Sequence, residues 1–193
     1  GGSGFDVAAV FEELGRALVV EPLLDNVVIP GRILLGVGDQ ARLTEVMDGS
    51  LRLAVSLEEH NVLSATKSGA RWVVSGTASM VKFAHGSDCV LVAAQTGIDA
   101  HQLSLFLVPK DAPNLQFEHH ALFDGGSVSD VTLNGVNLCE ADLIGPLDGA
   151  SDTIADARAW GCLGLCAEAL GIMEKIKLDT LDYLRTRKQF GAE

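Results

Sequence analysis

The sequence predicts an α+β fold: an antiparallel β-barrel or sandwich flanked by helical segments. Three observations carry this expectation. Apolar residues recur at helical spacing near both ends, over residues 5–19 and from 151 to about 189. Between them lie short runs rich in Val, Leu and Phe: "LRLAVSL", "ARWVVSG", "DCVLVAAQT", "QLSLFLVP" and "SVSDVTLNGVNL". Gly, Asp, Asn or Pro separates these runs, and that regular punctuation suits a compact antiparallel sheet.

The first helix sets Val7, Val10, Phe11, Leu14 and Leu18 on one face, with Glu12, Glu13 and Arg16 on the other. Ser3 and Asp6 have the spacing of a capping box, and Pro22 marks the end. The opening "GGSGFD" reads as an expression linker or as a Gly-rich lead-in; the helix that follows at once favours the lead-in. A second helical piece, "EPLLDNVVIPGRILLGVG", is nearly all apolar, is broken by Pro30-Gly31, and must be buried against something else. A third, "DQARLTEVMDG", stops at Gly49.

After Gly49 the strand-like runs begin. Asn134-Gly135, between "DVTL" and "VNL", is a strong signal for a tight hairpin turn. From Ser151 the helical period returns. Ala157, Gly161, Gly164, Leu165, Gly171, Met173, Ile176, Leu181 and Leu184 form an apolar stripe interleaved with small residues. Each glycine costs about 1 kcal/mol of helix propensity against alanine. A long helix that accepts this cost needs close approach by another helix, and no later segment supplies one. The order is therefore helix, β domain, helix, with the last helical layer unfinished.

Composition bounds the function. The 193 residues are 48% hydrophobic and 21% charged, enough for a sizeable core in one large domain or two smaller ones. A formal net charge of -12 repels a phosphate backbone and argues against generic nucleic-acid binding, but not against a small anionic ligand held by a few local cations. The cysteines, Cys89, Cys139, Cys162 and Cys166, contain no Cys-x-x-Cys pair. No secretory leader or bilayer-length apolar run is visible, so reduced thiols in a cytoplasmic protein are expected. His119-His120 with Cys139 lacks metal-ligand spacing and reads as loop and turn histidines. Cys162 and Cys166 share a helix face and read as small buried residues. Glu58-Glu59-His60 has the composition of an acid/base cluster and equally that of a solvated loop.

The stretch "YLRTRKQFG" needs more than helix chemistry. Cations in a last turn suit the helix dipole, each by about 0.3–1 kcal/mol. That accounts for Arg185, Arg187 and Lys188. It leaves Gln189-Phe190-Gly191 unexplained. An aromatic ring beside an Arg fork offers a flat apolar surface next to a diphosphate-shaped charge.

This stretch resembles the Tyr-x-x-x-Arg-x-Gln-Phe-Gly element of the acyl-CoA dehydrogenases. "FEELGRALVVEPLL" is similar to that family's Glu-Glu-Leu-Gly-Arg-Ala helix and its following Glu-Pro. "ARWVVSGTASMV" resembles its strand pair around Trp and Asn/Ser-Gly-Thr/Glu-Lys. "VTLNGVNLCEADLIG" resembles the hairpin and exit strand before the C-terminal helices, and "LCAEALGIMEKI" the small-residue start of the first of them. The pieces are collinear over nearly the whole chain. The resemblance implies the end of an N-terminal helical domain (1–50), a middle β domain (51–146) and the start of a C-terminal helical domain (147–193). It also implies that the chain is a fragment or part of a longer one.

The implied chemistry is removal of an α-proton by a Glu and of a β-hydride by FAD from an acyl-CoA, giving a trans-2-enoyl-CoA. An electron-transfer flavoprotein or similar acceptor then reoxidises the flavin. Arg187, Gln189 and Phe190, followed by Gly191, match residues that meet the FAD of a neighbouring subunit, which implies a homo- or hetero-oligomer.

Two departures bear on activity. Where the family has Thr-Glu-Pro-x-x-Gly-Ser-Asp, this chain has Ser56-Leu57-Glu58-Glu59-His60-Asn61. Gly86-Ser87-Asp88 instead falls at the turn into the next strand. Where the family has Trp-Ile/Val-Ser/Thr against the flavin, this chain has Met80-Val81-Lys82. Met80 then packs on a ring and Lys82 favours a reduced anionic flavin, or both are ordinary barrel residues. The usual catalytic Glu is expected beyond residue 193. At the family's alternative position, early in the first C-terminal helix, the chain offers the acids Asp152 and Asp156 and no Glu; Asp156 is the candidate, and it also reads as a solvated first-turn residue. Three functions follow: a flavin-dependent acyl-CoA dehydrogenase, a partner subunit with a degenerate active site, and a non-catalytic β-domain interaction module.

Overall fold

The computed structural model describes residues 2–57, 63–99 and 102–191. They form two compact units, one of residues 1–20 with 160–193 and one of residues 21–159.

In the first unit, α1 (Gly4–Ala17) opens on the expected capping box: the Ser3 amide donates to Asp6 Oδ2 at 2.6 Å. It ends at Leu18, which turns left-handed at φ 52°. The partner demanded by the glycines of the last helix, α4 (Ser151–Thr186), comes from before the sheet and not after it. That partner is α1. A Cβ on Gly171 would lie 1.9 Å from the Glu12 carbonyl oxygen, and one on Gly15 would lie 2.1 Å from that of Glu168. The two backbones therefore touch, and only an α-hydrogen fits between them. Arg16 clamps the crossing, donating to Glu12 at 2.9 Å and to Glu174. Gly161, Gly164 and Gly171 of the expected stripe are buried, as is Ala167, whereas Leu165, Met173, Ile176, Leu181 and Leu184 of that stripe are exposed. Cys162 and Cys166 are also exposed, against the expectation of burial. They lie on positions between the small residues that meet the neighbouring backbone.

The second unit begins with a π-helical turn, Leu24–Val28, that hands directly to α2 (Ile29–Gly36). Pro30 lies in the first turn of α2, where a missing N–H costs little, so the chain stays helical through it. The third helix, α3 (Gln40–Asp48), is capped by Asp39, whose carboxylate accepts from the Arg42 amide. It stops at Gly49 with φ 80°.

The strands are β1 (Leu53–Ser56), β2 (Leu63–Ser68), β3 (Arg71–Lys82), β4 (Cys89–Gln95), β5 (Leu103–Pro109), β6 (Leu115–Ala121), β7 (Ser127–Leu138) and β8 (Leu143–Ile144). They form one sheet in the order β6-β7-β3-β2-β4-β5-β8, with β1 beside β4. Pairing is antiparallel except where β1 and β2 run parallel to β4. Among the described residues the sheet does not close, so the barrel expectation gives way to an open sheet with β6 and β8 at its ends. One face buries Trp72, Val74, Val92, Phe106 and Val131, with the Trp72 and Phe106 rings 5.4 Å apart. Leu53, Leu91, Leu105, Ile33, Leu34 and Ile154 fill a second core beneath the helices.

Three local expectations change. Asn134-Gly135 is no hairpin: β7 runs through it, and the register slips opposite Val74 and Ser75. Gly135 has φ 73°, which suits a bulge as well as a turn. "ARWVVSGTASMV" lies almost wholly in one strand, β3, and not in a pair. His119 and His120 lie on β6 and not in a loop.

The turn into β4 carries an ion pair. Arg52 donates through Nη2 to Asp88 Oδ1 at 2.7 Å and through its amide to Oδ2 at 2.9 Å. The Arg52 side chain, aided by its amide, pulls the Asp88 carboxyl down from 3.8 to about 2. A lowered carboxyl stabilises the fold above its unfolded value, and this contribution is lost as pH falls from about 4 toward 2. The pair is well exposed, so solvent screening holds it below about 1 kcal/mol. Arg52→Ala keeps the amide at residue 52 and is expected to raise the Asp88 carboxyl part of the way back toward the usual carboxylate range, read by carboxyl NMR titration. An unchanged titration would contradict the pairing.

Candidate functional site

In the second unit a cleft of about 130 Å³ is lined by Asp25, Ser56, Leu57, Ser79, Met80 and Lys82, with Val55 and Val81. It gathers the two β-domain positions that the sequence singled out, Met80 and Lys82.

A β-bulge builds the cleft wall. Ala78 pairs with Val131 and Val81 with Ser129, so Ser79 and Met80 face Asp130 alone. Met80 takes φ 59°, a left-handed conformation that costs a side-chain-bearing residue about 1–2 kcal/mol. Its amide donates to Asp130 Oδ1 at 2.9 Å, and the residue is 60% exposed. Strain of this kind persists where surrounding structure holds it.

Lys82 does not present a free cation. Its Nζ lies 3.3 Å from Asp25 Oδ2, on the π-helical turn. Next to Asp25, the Asn26 side-chain amide donates to the Leu53 carbonyl at 2.7 Å and ties this turn to β1. The Arg158 guanidinium donates to the Leu57 carbonyl and fixes the far end of that wall. Ser56 is buried. The cleft therefore combines an exposed polarisable thioether, two hydroxyls, main-chain groups and one neutralised ion pair. These are groups that receive the edge or face of a flat, partly polar ring.

The other sequence candidates lie elsewhere. The Arg187 amide donates to the Tyr183 carbonyl at 2.9 Å, and its guanidinium stands 5.1 Å from the centre of the Tyr183 ring. Gln189, Phe190 and Gly191 follow the end of α4, exposed, with Phe190 at φ 53° and Gly191 at φ 82°. Asp156 accepts from Arg32 Nε at 3.0 Å and Nη2 at 2.8 Å, so this acid ties α4 to α2. His119 lies 5.0 Å from His85, ring to ring. Glu58, Glu59, His60 and Asn61 lie outside the described residues. Asp25, Asp130 and Arg158 had no sequence signal, because each acts on a residue remote in the chain.

No helix among the described residues is long and apolar enough to cross a membrane. A scan against protein-family models found no match. The chain is 29% identical over 200 residues to acyl-CoA dehydrogenase FadE27 of Mycobacterium tuberculosis, covering 98% of this chain and 52% of that protein. It is 26% identical over 213 residues to the 3-(aryl)acrylate reductase of Clostridium sporogenes, covering 99% and 56%. The solved ChsE4–ChsE5 complex from Mycobacterium tuberculosis superimposes with a TM-score of 0.86 at 26% identity, over 98% of this chain and 52% of that one. The chain thus spans about half the length of the curated relatives it matches. Over nearly its whole length it is similar, in sequence and in fold, to the acyl-CoA dehydrogenases.

Proposed function

We propose that this chain is part of a flavin-dependent acyl-CoA dehydrogenase that converts an acyl-CoA thioester to a trans-2-enoyl-CoA. The observation that carries the reading is the Met80 bulge: a strained turn exposes a thioether over a small polar cleft, in a chain collinear with this family. The donor set fits a flavin. Met80 offers a soft surface for the ring, while Ser56, Ser79 and main-chain groups offer hydrogen bonds. Bound FAD would supply the acceptor for the β-hydride. Asp25 holds Lys82 in place, so that its cation borders the ring and is not lost to solvent.

In this reading Arg187 and Gln189 bind a diphosphate and Phe190 covers an adjacent ring, in the FAD of a neighbouring subunit. The acyl-CoA substrate, an electron-transfer flavoprotein as acceptor and the division at residues 50 and 146 come with the same resemblance, and the cysteine usage favours a cytoplasmic setting. Asp156, held by Arg32, serves here as a structural acid.

A second reading has its own support. Lys82 is already engaged by Asp25, and Ser56-Leu57 replaces the family's Thr-Glu. A chain so altered completes a flavin site on a partner, and the similar ChsE4–ChsE5 structure is itself a complex. Anaerobic addition of a panel of saturated acyl-CoA thioesters to the flavin-loaded protein tests the first reading. Bleaching of the flavin's visible bands with release of an enoyl-CoA is expected. Bleaching only when a second dehydrogenase chain is co-expressed supports the partner reading, and none in either case contradicts both.

A further inference from the structure

We propose that Asp130 is a positioning residue for the cleft: without lining it, its carboxylate holds the bulge that turns Met80 outward. The inference rests on the reading of the cleft as a flavin site.

The bulge sets two β3 residues against one on β7, and that one residue is Asp130. The extra residue of such a bulge loses its ladder partner. Asp130 supplies the missing acceptor from its side chain, with Oδ1 2.9 Å from the Met80 nitrogen. A carboxylate accepting a backbone N–H is the stronger kind of hydrogen bond. Asp130 Oδ2 lies 4.0 Å from His120 Nε2 on β6, beyond hydrogen-bond reach. Its register partner on β6 is Glu118. The bond from a residue fifty positions away thus maintains a left-handed Met, and with it the direction of the thioether.

The test uses the full-length protein that contains this chain, stripped of flavin, with FAD as the probe. Amide hydrogen exchange at Met80, read by NMR, and FAD affinity, read by flavin fluorescence, are measured for the wild type, Asp130→Ala and Asp130→Asn. Asp130→Ala is expected to speed Met80 exchange and weaken FAD binding, each about tenfold. Asp130→Asn keeps an acceptor oxygen and is expected to restore both. Asp130→Ser stands in for Asp130→Ala if that variant does not fold. Unchanged Met80 exchange, unchanged FAD affinity beside altered exchange, or no recovery with Asn would each overturn the proposal. Wild-type protein that binds no FAD, alone or with a co-expressed dehydrogenase chain, refutes the flavin reading, while the exchange comparison still decides whether Asp130 holds the bulge.

Discussion

Gly171→Ala is expected to destabilise the unit formed by α1 and the second part of α4 by about 2 kcal/mol. Two opposing effects decide the sign. Alanine improves helix propensity by about 1 kcal/mol. Against this, its Cβ would meet the Glu12 carbonyl oxygen at 1.9 Å and the Arg16 nitrogen at 2.9 Å. Those are backbone atoms, which no rotamer change removes, and a contact this close puts the overpacking cost at the upper end of its usual range, about 3 kcal/mol. The collision therefore outweighs the propensity gain. Gly15→Ala is expected to act alike, because its Cβ would meet the Glu168 carbonyl oxygen at 2.1 Å. Gly86→Ala is the control: nothing lies within 4 Å of its Cβ, so the change is expected to be small. Hydrogen exchange in residues 4–17 and 160–186 reads the loss locally. Increased protection in Gly171→Ala would contradict the backbone contact.

The glycines show what a sequence can carry. That they needed a close neighbour was legible, since helix propensity is local. That the neighbour was α1 was not, because residues 12 and 171 meet only in the folded chain. The same division runs through the structure. The Ser3–Asp6 box and the Gly49 stop are written in adjacent residues and were read directly. Asn134-Gly135 announces a positive φ, which a hairpin and a bulge both need; the pairing with β3 selects the bulge. β6 lacked an apolar signal because most of its side chains face solvent, and the polar strand β2 lacked one for a similar reason. At the site, Met80 and Lys82 were legible through resemblance, whereas Asp25 and Asp130 enter through contacts that no spacing encodes.

Arg187→Ala is expected to weaken FAD retention in the assembled protein about tenfold to a hundredfold, the loss of one hydrogen bond to a charged diphosphate at about 1.5–3 kcal/mol. The stack on Tyr183 orients the guanidinium before any ligand arrives. Arg187→Lys keeps the charge but not the planar fork, and is expected to recover only part of the affinity. If Arg187 serves only the dipole of α4, its removal costs a fraction of a kcal/mol of helix stability and leaves flavin content unchanged. Flavin content after gel filtration separates the two outcomes.

The visible absorbance spectrum of the purified protein, alone and with a co-expressed dehydrogenase chain, tests flavin binding most directly. The expected result is a flavin spectrum that survives gel filtration, with FAD released on denaturation. A colourless protein under both conditions, still colourless after incubation with excess FAD, would contradict it.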